Sequence, residues 1–303
     1  MINIDKKIKY ILKNEYKYFL NKPNVFGVGL GYKVKNGFYT CEKCIQVFVT
    51  KKLSCTELNS YDLIPKLYKE IPTDVKETEY FTPCSLTERV RPVLGGYSIS
   101  SKNNHNIGTV GCLVTNGISK FILSTNHVLA NVNTIPLGTP IIQPSYNDGG
   151  SIPDTIATLY KYIPLRISDE EHEPTNLTDC AIGLLIEPNI LSSKIALIGT
   201  LNGIKNPYLN EVVKKVGRTT ELTEGMINST DVFITMLYPP NDRRCLFNNI
   251  ILTTRMSEKG DSGSLLVNKN NFGIGLLIGQ NPTFSVYCRL DTVLDQLGMH
   301  LVT

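Results

Sequence analysis

Apolar residues at helical spacing open the chain. Ile8, Ile11, Leu12, Tyr16, Phe19 and Leu20 recur every three or four positions, with Lys7, Lys9, Lys13 and Lys17 between them. The pattern predicts an amphipathic helix from about Ile4 to Leu20, capped by Asp5 or Asn3 and stopped by Pro23. Such a helix suits a membrane surface or the protein's own core, and docking onto the core is the favoured reading. Beyond Asn24 the period drops to two. Val25 to Val34 reads as a strand with Gly27, Gly29 and Gly31 on one face. That alternation, with no third glycine at the right offset, argues against a phosphate loop at Gly29-Leu30-Gly31. Ile45 to Thr50 reads as a second strand of good β-formers. Tyr61 to Glu70 suggests a short helix broken by Pro65, and Thr73-Asp74-Val75-Lys76 the start of another strand. Together these elements predict a small α/β unit.

Periodicity then lapses from Phe81 to Leu94, where Pro83 and Pro92 fall, and a domain boundary is expected near residue 90. From there the pattern is all-β. Thr109 to Thr115 and Lys120 to Ser124 flank Asn116-Gly117, a strong short hairpin signal. Residues 131–163 alternate short apolar runs with turns such as Asn147-Asp148-Gly149-Gly150, the spacing of a β-barrel. Further strands are expected at Val212–Val216, Gly225–Ile227, Asp231–Met236, Asn249–Thr254, Ser264–Val267, Gly273–Ile278 and Phe284–Arg289. A closing helix over about 290–299 follows an Asp cap, Asp291.

Composition narrows the class. The chain has 303 residues, 42% hydrophobic and 19% charged, a globular balance with room for one or two domains. A net charge of +4 gives no case for nucleic acid. No run of 18 apolar residues predicts a membrane span. No unbroken apolar stretch follows Met1 as a secretory signal requires, so reduced thiols and a cytoplasmic location are expected. The eight cysteines are Cys41, Cys44, Cys55, Cys84, Cys112, Cys180, Cys245 and Cys288. Cys41-Glu-Lys-Cys44 with Cys55 and Cys84 would supply four zinc ligands. There is no second Cys-x-x-Cys, however, and residues three apart on a strand face opposite ways, so no metal site is assigned. Asp148 and Asp154 lack calcium-loop spacing and read as turn residues. The charged stretch Asp169-Glu170-Glu171-His172-Glu173 reads as a solvated loop.

Candidate chemistry centres on Lys259-Gly260-Asp261-Ser262-Gly263-Ser264, which precedes the apolar run Leu265-Leu266-Val267. A serine between glycines ahead of a strand suits a nucleophile on a tight loop. The amides of Gly260 and Ser262 are then candidate donors to an oxyanion. A serine hydroxyl needs a base to take its proton. Of His105, His127, His172 and His300, His127 follows an apolar strand, Phe121-Ile122-Leu123, in the sequence Ser124-Thr125-Asn126-His127-Val128-Leu129. Asp179 enters the apolar run Cys180-Ala181-Ile182, where a carboxylate needs a partner such as an imidazole N–H.

The order His127, Asp179, Ser262, with Gly-Asp-Ser-Gly at the serine, resembles the chymotrypsin-like (trypsin-like) serine peptidases, bacterial type. Val213-Lys214-Lys215-Val216-Gly217-Arg218-Thr219-Thr220 is similar to the segment that opens their second barrel. Phe272 to Gly279 is similar to the strand that lines their cleft. The resemblance covers about residues 95 to 300. It implies two six-stranded antiparallel β-barrels, at about 91–205 and 206–290, within a peptidase domain at 91–303. Residues 1–90 form an extra unit, regulatory or docking. The implied activity is endopeptidase cleavage of a polypeptide through a Ser-His-Asp triad, without cofactor. Self-processing, and use of the fold for binding with a closed cleft, are the alternative functions.

Several residue roles follow from the resemblance alone. Met256, six residues before the serine, falls at the floor of the specificity pocket, with Ile278, Gly279 and Gln280 as its wall. No acidic floor is present, so a neutral substrate side chain is expected. Ile278 stands where relatives usually carry a serine, which deprives Asp179 of one hydrogen bond. Val128 stands where secreted relatives often carry a cysteine. Arg91 to Gly96 superficially resembles a zymogen cleavage site, but the proline argues for a barrel strand instead. Asp261 needs a cation, and Arg218 matches the arginine that serves in some bacterial relatives, so an Arg218–Asp261 ion pair is expected.

Overall fold

The computed structural model describes residues 3–35, 37–54, 56–80, 85–102 and 106–303. The chain divides into two compact units, Met1–Cys84 and Ser85–Thr303, a division that falls ahead of residue 90.

In the first unit the helix Ile4–Leu20 forms over its expected span. Asn3, rather than Asp5, is the cap, its side chain accepting from the Asp5 amide at 3.0 Å. Ile8, Ile11 and Phe19 are buried with Ile45, Val47 and Ile71, so the apolar face is spent on the unit's own sheet. That sheet runs Val25–Lys35, Phe38–Val49, Ile71–Glu77, Leu67–Tyr68. Its first pair is antiparallel and its second parallel. The helix expected at residues 61–70 does not form. Pro65 lacks the amide a helix needs, and Lys69 and Glu70 adopt φ of 49° and 66°, turning the chain so that Leu67–Tyr68 pairs back on Ile71–Pro72. Cys41 is exposed and Cys44 buried on the strand they share; Cys55 and Cys84 lie outside the described residues.

The second unit is β throughout except for short helices. Its first sheet places Ser98–Ser101, Pro140–Ile142, Thr155–Tyr162, Ala181–Leu185, Lys120–Ser124 and Leu113–Thr115 side by side. The bent segment 108–115 touches both ends of this order. Gly108–Thr109 pairs with Ser98–Ser101, while Leu113–Thr115 pairs with Lys120–Ser124, which closes the sheet on itself. The Asn116-Gly117 turn forms as expected, with Asn116 Oδ1 accepting from the Ile118 and Ser119 amides. Val93–Gly95 lies in a separate three-stranded sheet, parallel to Leu191–Ile195.

The second sheet is a closed ring of six: Val212–Gly217, Glu221–Tyr238, Arg243–Thr254, Phe284–Arg289, Gly273–Gln280 and Leu265–Asn268. The last of these pairs back with the first. The short strand Thr175–Asn176 adds outside the ring, parallel to Arg243–Thr254. The two strands expected at 225–236 are one long strand. Irregular pairing near Ser229 and Asp231 at φ 57° mark the interruption that reads in sequence as a gap. The closing helix is Leu290–Leu297; its cap is Arg289, and Asp291 lies inside the first turn. No helix among the described residues is long and apolar enough to cross a membrane.

Phe19 is fully buried and Tyr10 is 65% exposed on the same helix. Phe19→Ala is expected to destabilise the first unit by about 3–5 kcal/mol. Tyr10→Ala should stay within about 0.5 kcal/mol. Denaturant unfolding of the two variants checks both.

Candidate active site

Each candidate residue is placed by a short piece of regular structure. Lys120–Ser124 leads into a single helical turn, Asn126–Leu129, that carries His127. Asn126 is buried and pins this turn by donating to the Ile163 carbonyl at 2.8 Å. Asn106 Nδ2 holds the His127 carbonyl at 3.1 Å. Asp179 sits just before the strand Ala181–Leu185, with no exposed surface. Its Oδ2 meets His127 Nδ1 at 2.5 Å, and its Oδ1 accepts from the His127 amide at 3.1 Å. Both carboxylate oxygens therefore fix one residue, which sets the ring's orientation as well as its position.

A further donor was not expected from sequence. Tyr238, at the end of Glu221–Tyr238, donates its hydroxyl to Asp179 Oδ2 at 2.8 Å. Nothing local in the sequence marks it, because the contact spans 59 positions and joins the second sheet to the start of a strand of the first. Three buried free thiols, Cys180, Cys245 and Cys288, surround the carboxylate. Burial first, then the Asp179 charge, raises Cys288 well above an ordinary thiol and Cys245 to about 11. These thiols stay protonated and act as small apolar packing groups.

The serine loop is held by two segments, at Thr109 and Leu277. Thr109 donates its amide to the Ser262 carbonyl at 2.8 Å and its hydroxyl to the Gly260 carbonyl at 2.9 Å. Gly263 donates to the Leu277 carbonyl at 2.8 Å. Gly260 has φ 104°, and Gly263 has φ 93° with the Ser124 hydroxyl 2.1 Å from where a Cβ would stand. Both positions therefore require glycine. Among the described residues, the amides of Gly260 and Ser262 make no hydrogen bond within the protein. The Ser262 hydroxyl and His127 Nε2 are not bonded to one another either. Ser262 and His127 are tied instead to one edge: Asn106 grips the His127 carbonyl and Thr109 the Ser262 carbonyl.

The expected Arg218–Asp261 pair does not form. Arg218 turns to Asp148, with Nε on Oδ2 at 3.0 Å and Nη2 on Oδ1. Burial would lift the Asp148 carboxyl, but Arg218, Ser98 and Ser145 outweigh it and hold it below the ordinary range. The cation for Asp261 is Lys215, with Nζ 3.2 Å from Oδ2 and both side chains fully buried. Lys215 also reaches the Thr220 hydroxyl and the Glu221 carbonyl. Asp261 takes the amides of Thr219 at 2.8 Å, Thr220 at 3.1 Å and Glu258 at 2.9 Å, and the Thr220 hydroxyl at 2.6 Å. Burial acts to raise its carboxyl, but Lys215 and these donors outweigh it and keep it below its ordinary value. Burial lowers the Lys215 ammonium, with Asp261 opposing. Arg218 loses to Lys215 because its reach is spent on a bidentate partner, whereas Lys215 points inward from Val212–Gly217.

The predicted specificity residues separate. Met256 is enclosed by Val213, Ile227, Ile251, Leu266 and Leu277 in the core of the second ring, so its side chain is a packing group. Ile278 is buried in another cluster with Tyr238 and Phe247. Gly279 and Gln280 are half-buried. Asp154 pairs with Arg89 and caps Ser151, a structural role like that of Asp148. Ser168–Glu173 and Arg244 line an open cavity of about 550 Å³. His172 is exposed, and His105 lies outside the described residues.

Comparison with solved structures settles the architecture. Thermobifida fusca protease A is similar over 70% of this chain and 98% of its own, with 17% identity and a TM-score of 0.52. The fold is that of the chymotrypsin-like serine proteases. Nocardiopsis protease covers 70% of this chain and 99% of its own, with 16% identity and a TM-score of 0.52. A glutamic acid specific serine protease, described as using a histidine triad in substrate binding, covers 69% and 100%, with 18% identity and a TM-score of 0.52. No protein-family model and no curated protein matches the chain. In this chymotrypsin-like fold the buried Lys215–Asp261 pair sits directly beneath the serine loop.

Lys215→Met strands the Asp261 carboxylate, at an expected cost of about 3–5 kcal/mol of folding stability in denaturant titration. Adding Asp261→Asn should recover most of that loss. For the wild type the Asp261 contribution is present above the unfolded carboxylate range and is lost as pH falls through its lowered folded value. Acid unfolding of wild type against Asp261→Asn measures it.

Proposed function

We propose that the chain is a serine endopeptidase that cleaves polypeptides through an acyl-enzyme, with Ser262 as nucleophile, His127 as general base and Asp179 orienting the imidazole. The observation that carries this reading is the buried Asp179 carboxylate bonded to both the ring and the amide of His127, on an edge that also holds the Ser262 loop. Such a dyad supports proton removal from a hydroxyl brought to Nε2. In the proposed reaction His127 Nε2 takes the Ser262 proton as Oγ attacks the peptide carbonyl. The Gly260 and Ser262 amides, unpaired among the described residues, receive the oxyanion. His127 then gives its proton to the leaving amine, and water releases the acyl group by the same steps in reverse. Apo hydrogen bonds at such sites often close only with substrate, which suits the open Ser262–His127 contact.

With Met256 packed in the core, the half-buried, uncharged Gly279 and Gln280 are what support a substrate side chain without positive charge rather than the basic residue of a trypsin. The assigned role of residues 1–90 is regulatory or docking. Self-processing and a closed-cleft binding role are outcomes of the same experiment. A fluorophosphonate probe is expected to label wild-type protein at Ser262. Ser262→Ala should abolish labelling, and His127→Ala should slow it by at least about a thousandfold. A peptide-library digest then reads specificity. An unlabelled wild type overturns the peptidase reading and leaves a binding role; labelling with cleavage confined to its own chain supports self-processing.

A further inference from the structure

We propose that Tyr238 is a positioning residue for the His127–Asp179 pair, supplying from the second ring the hydrogen bond that orients the carboxylate. This rests on the peptidase reading above. Asp179 is fully buried, and its two oxygens accept three bonds: the His127 amide on Oδ1, and both His127 Nδ1 and the Tyr238 hydroxyl on Oδ2. Without the phenol, His127 is the only donor to the carboxylate among the described residues. The Tyr238 ring is 4% exposed, with its centroid 5.6 Å from that of His127 and 6.3 Å from that of Phe247. Its hydroxyl is thus delivered by packing rather than by a mobile loop. Ile278, at the position where the resemblance implies a serine, is a buried alkyl side chain. The donor that position lacks is supplied from a different strand.

Among the described residues no other group competes for the carboxylate. The Asp179 amide donates to Cys288 Sγ at 3.4 Å, and the Cys180 and Cys245 thiols are weak donors kept neutral by burial. Lys161 Nζ is committed to the Gln296 and Leu297 carbonyls, and Arg243 Nη2 to the Pro239 carbonyl. Burial, then the Asp179 charge, raises the Tyr238 phenol well above its ordinary value, so it stays a donor across the working pH range. The bond draws carboxylate charge toward Tyr238 and away from the ring. Its loss leaves the carboxylate held, among the described residues, by His127 alone, so the imidazole is oriented less firmly.

The test compares wild type with Tyr238→Phe, which removes one atom. Fluorophosphonate labelling rates are measured from acid to alkaline pH, with Ser262→Ala as blank. The low-field proton resonance of the His127 Nδ1–H···Asp179 bond is followed by NMR in the same proteins. Thermal unfolding confirms that the variant is folded. The expected result is a labelling rate about tenfold lower at neutral pH, a displaced acidic limb of the pH–rate profile, and a displaced proton resonance. A folded variant with wild-type rate, limb and resonance overturns the proposal while leaving the peptidase reading standing. An unlabelled wild type whose resonance still moves in Tyr238→Phe supports the positioning role and removes the peptidase reading.

Discussion

A carboxylate with no exposed surface has to be met on every side, and Asp261 is. Lys215 reaches it from the strand Val212–Gly217, Thr219 and Thr220 from the turn after that strand, and Glu258 from the segment before the serine. Two stretches of chain, 215–220 and 258–261, are thereby drawn to one point. Ser262 is the next residue in the chain, so its place follows from that convergence. An ion pair this deep is weak as a source of net stability, because desolvating both charges offsets their attraction. Its value lies in geometry: any other arrangement of the loop would leave a buried charge without a partner.

Asp179 repeats the logic in the first ring with different partners. Here the matching groups are neutral donors and an imidazole, and the surrounding thiols fill volume without offering strong bonds. The two buried carboxylates serve separate purposes. One fixes a loop and the other fixes a ring, and the edge 106–109 links them through the carbonyls of His127 and Ser262. The fold supplies rigidity at both ends of that edge.

Much of this was legible in the residues themselves. Apolar spacing located the first helix over its span, and the Asn-Gly turn and the Gly-Asp-Ser-Gly loop are local signals that tertiary context reinforces. The His127–Asp179 contact was legible because a lone carboxylate entering an apolar run demands a partner. Other features were not local. The helix expected near Pro65 lost to a two-residue hairpin set by positive φ at Lys69 and Glu70. Arg218 and Lys215 stand three residues apart, and only the fold shows that Lys215 points inward from its strand while Arg218, in the turn after it, reaches Asp148. Tyr238 meets Asp179 across two sheets, 59 positions away, which no window of sequence contains. Met256 looked like a pocket floor by its offset from Ser262, yet its sulfur is packed among core residues.

The internal lysine beneath the serine loop has a consequence for timing. Peptidases that await a freshly cut amino terminus can be stored silent and released by a single scission. Here the counter-charge is part of the same folded strand, so the loop's shape is reached when folding is complete. Nothing about this counter-charge waits on a severed bond, since the strand Val212–Gly217 carries it.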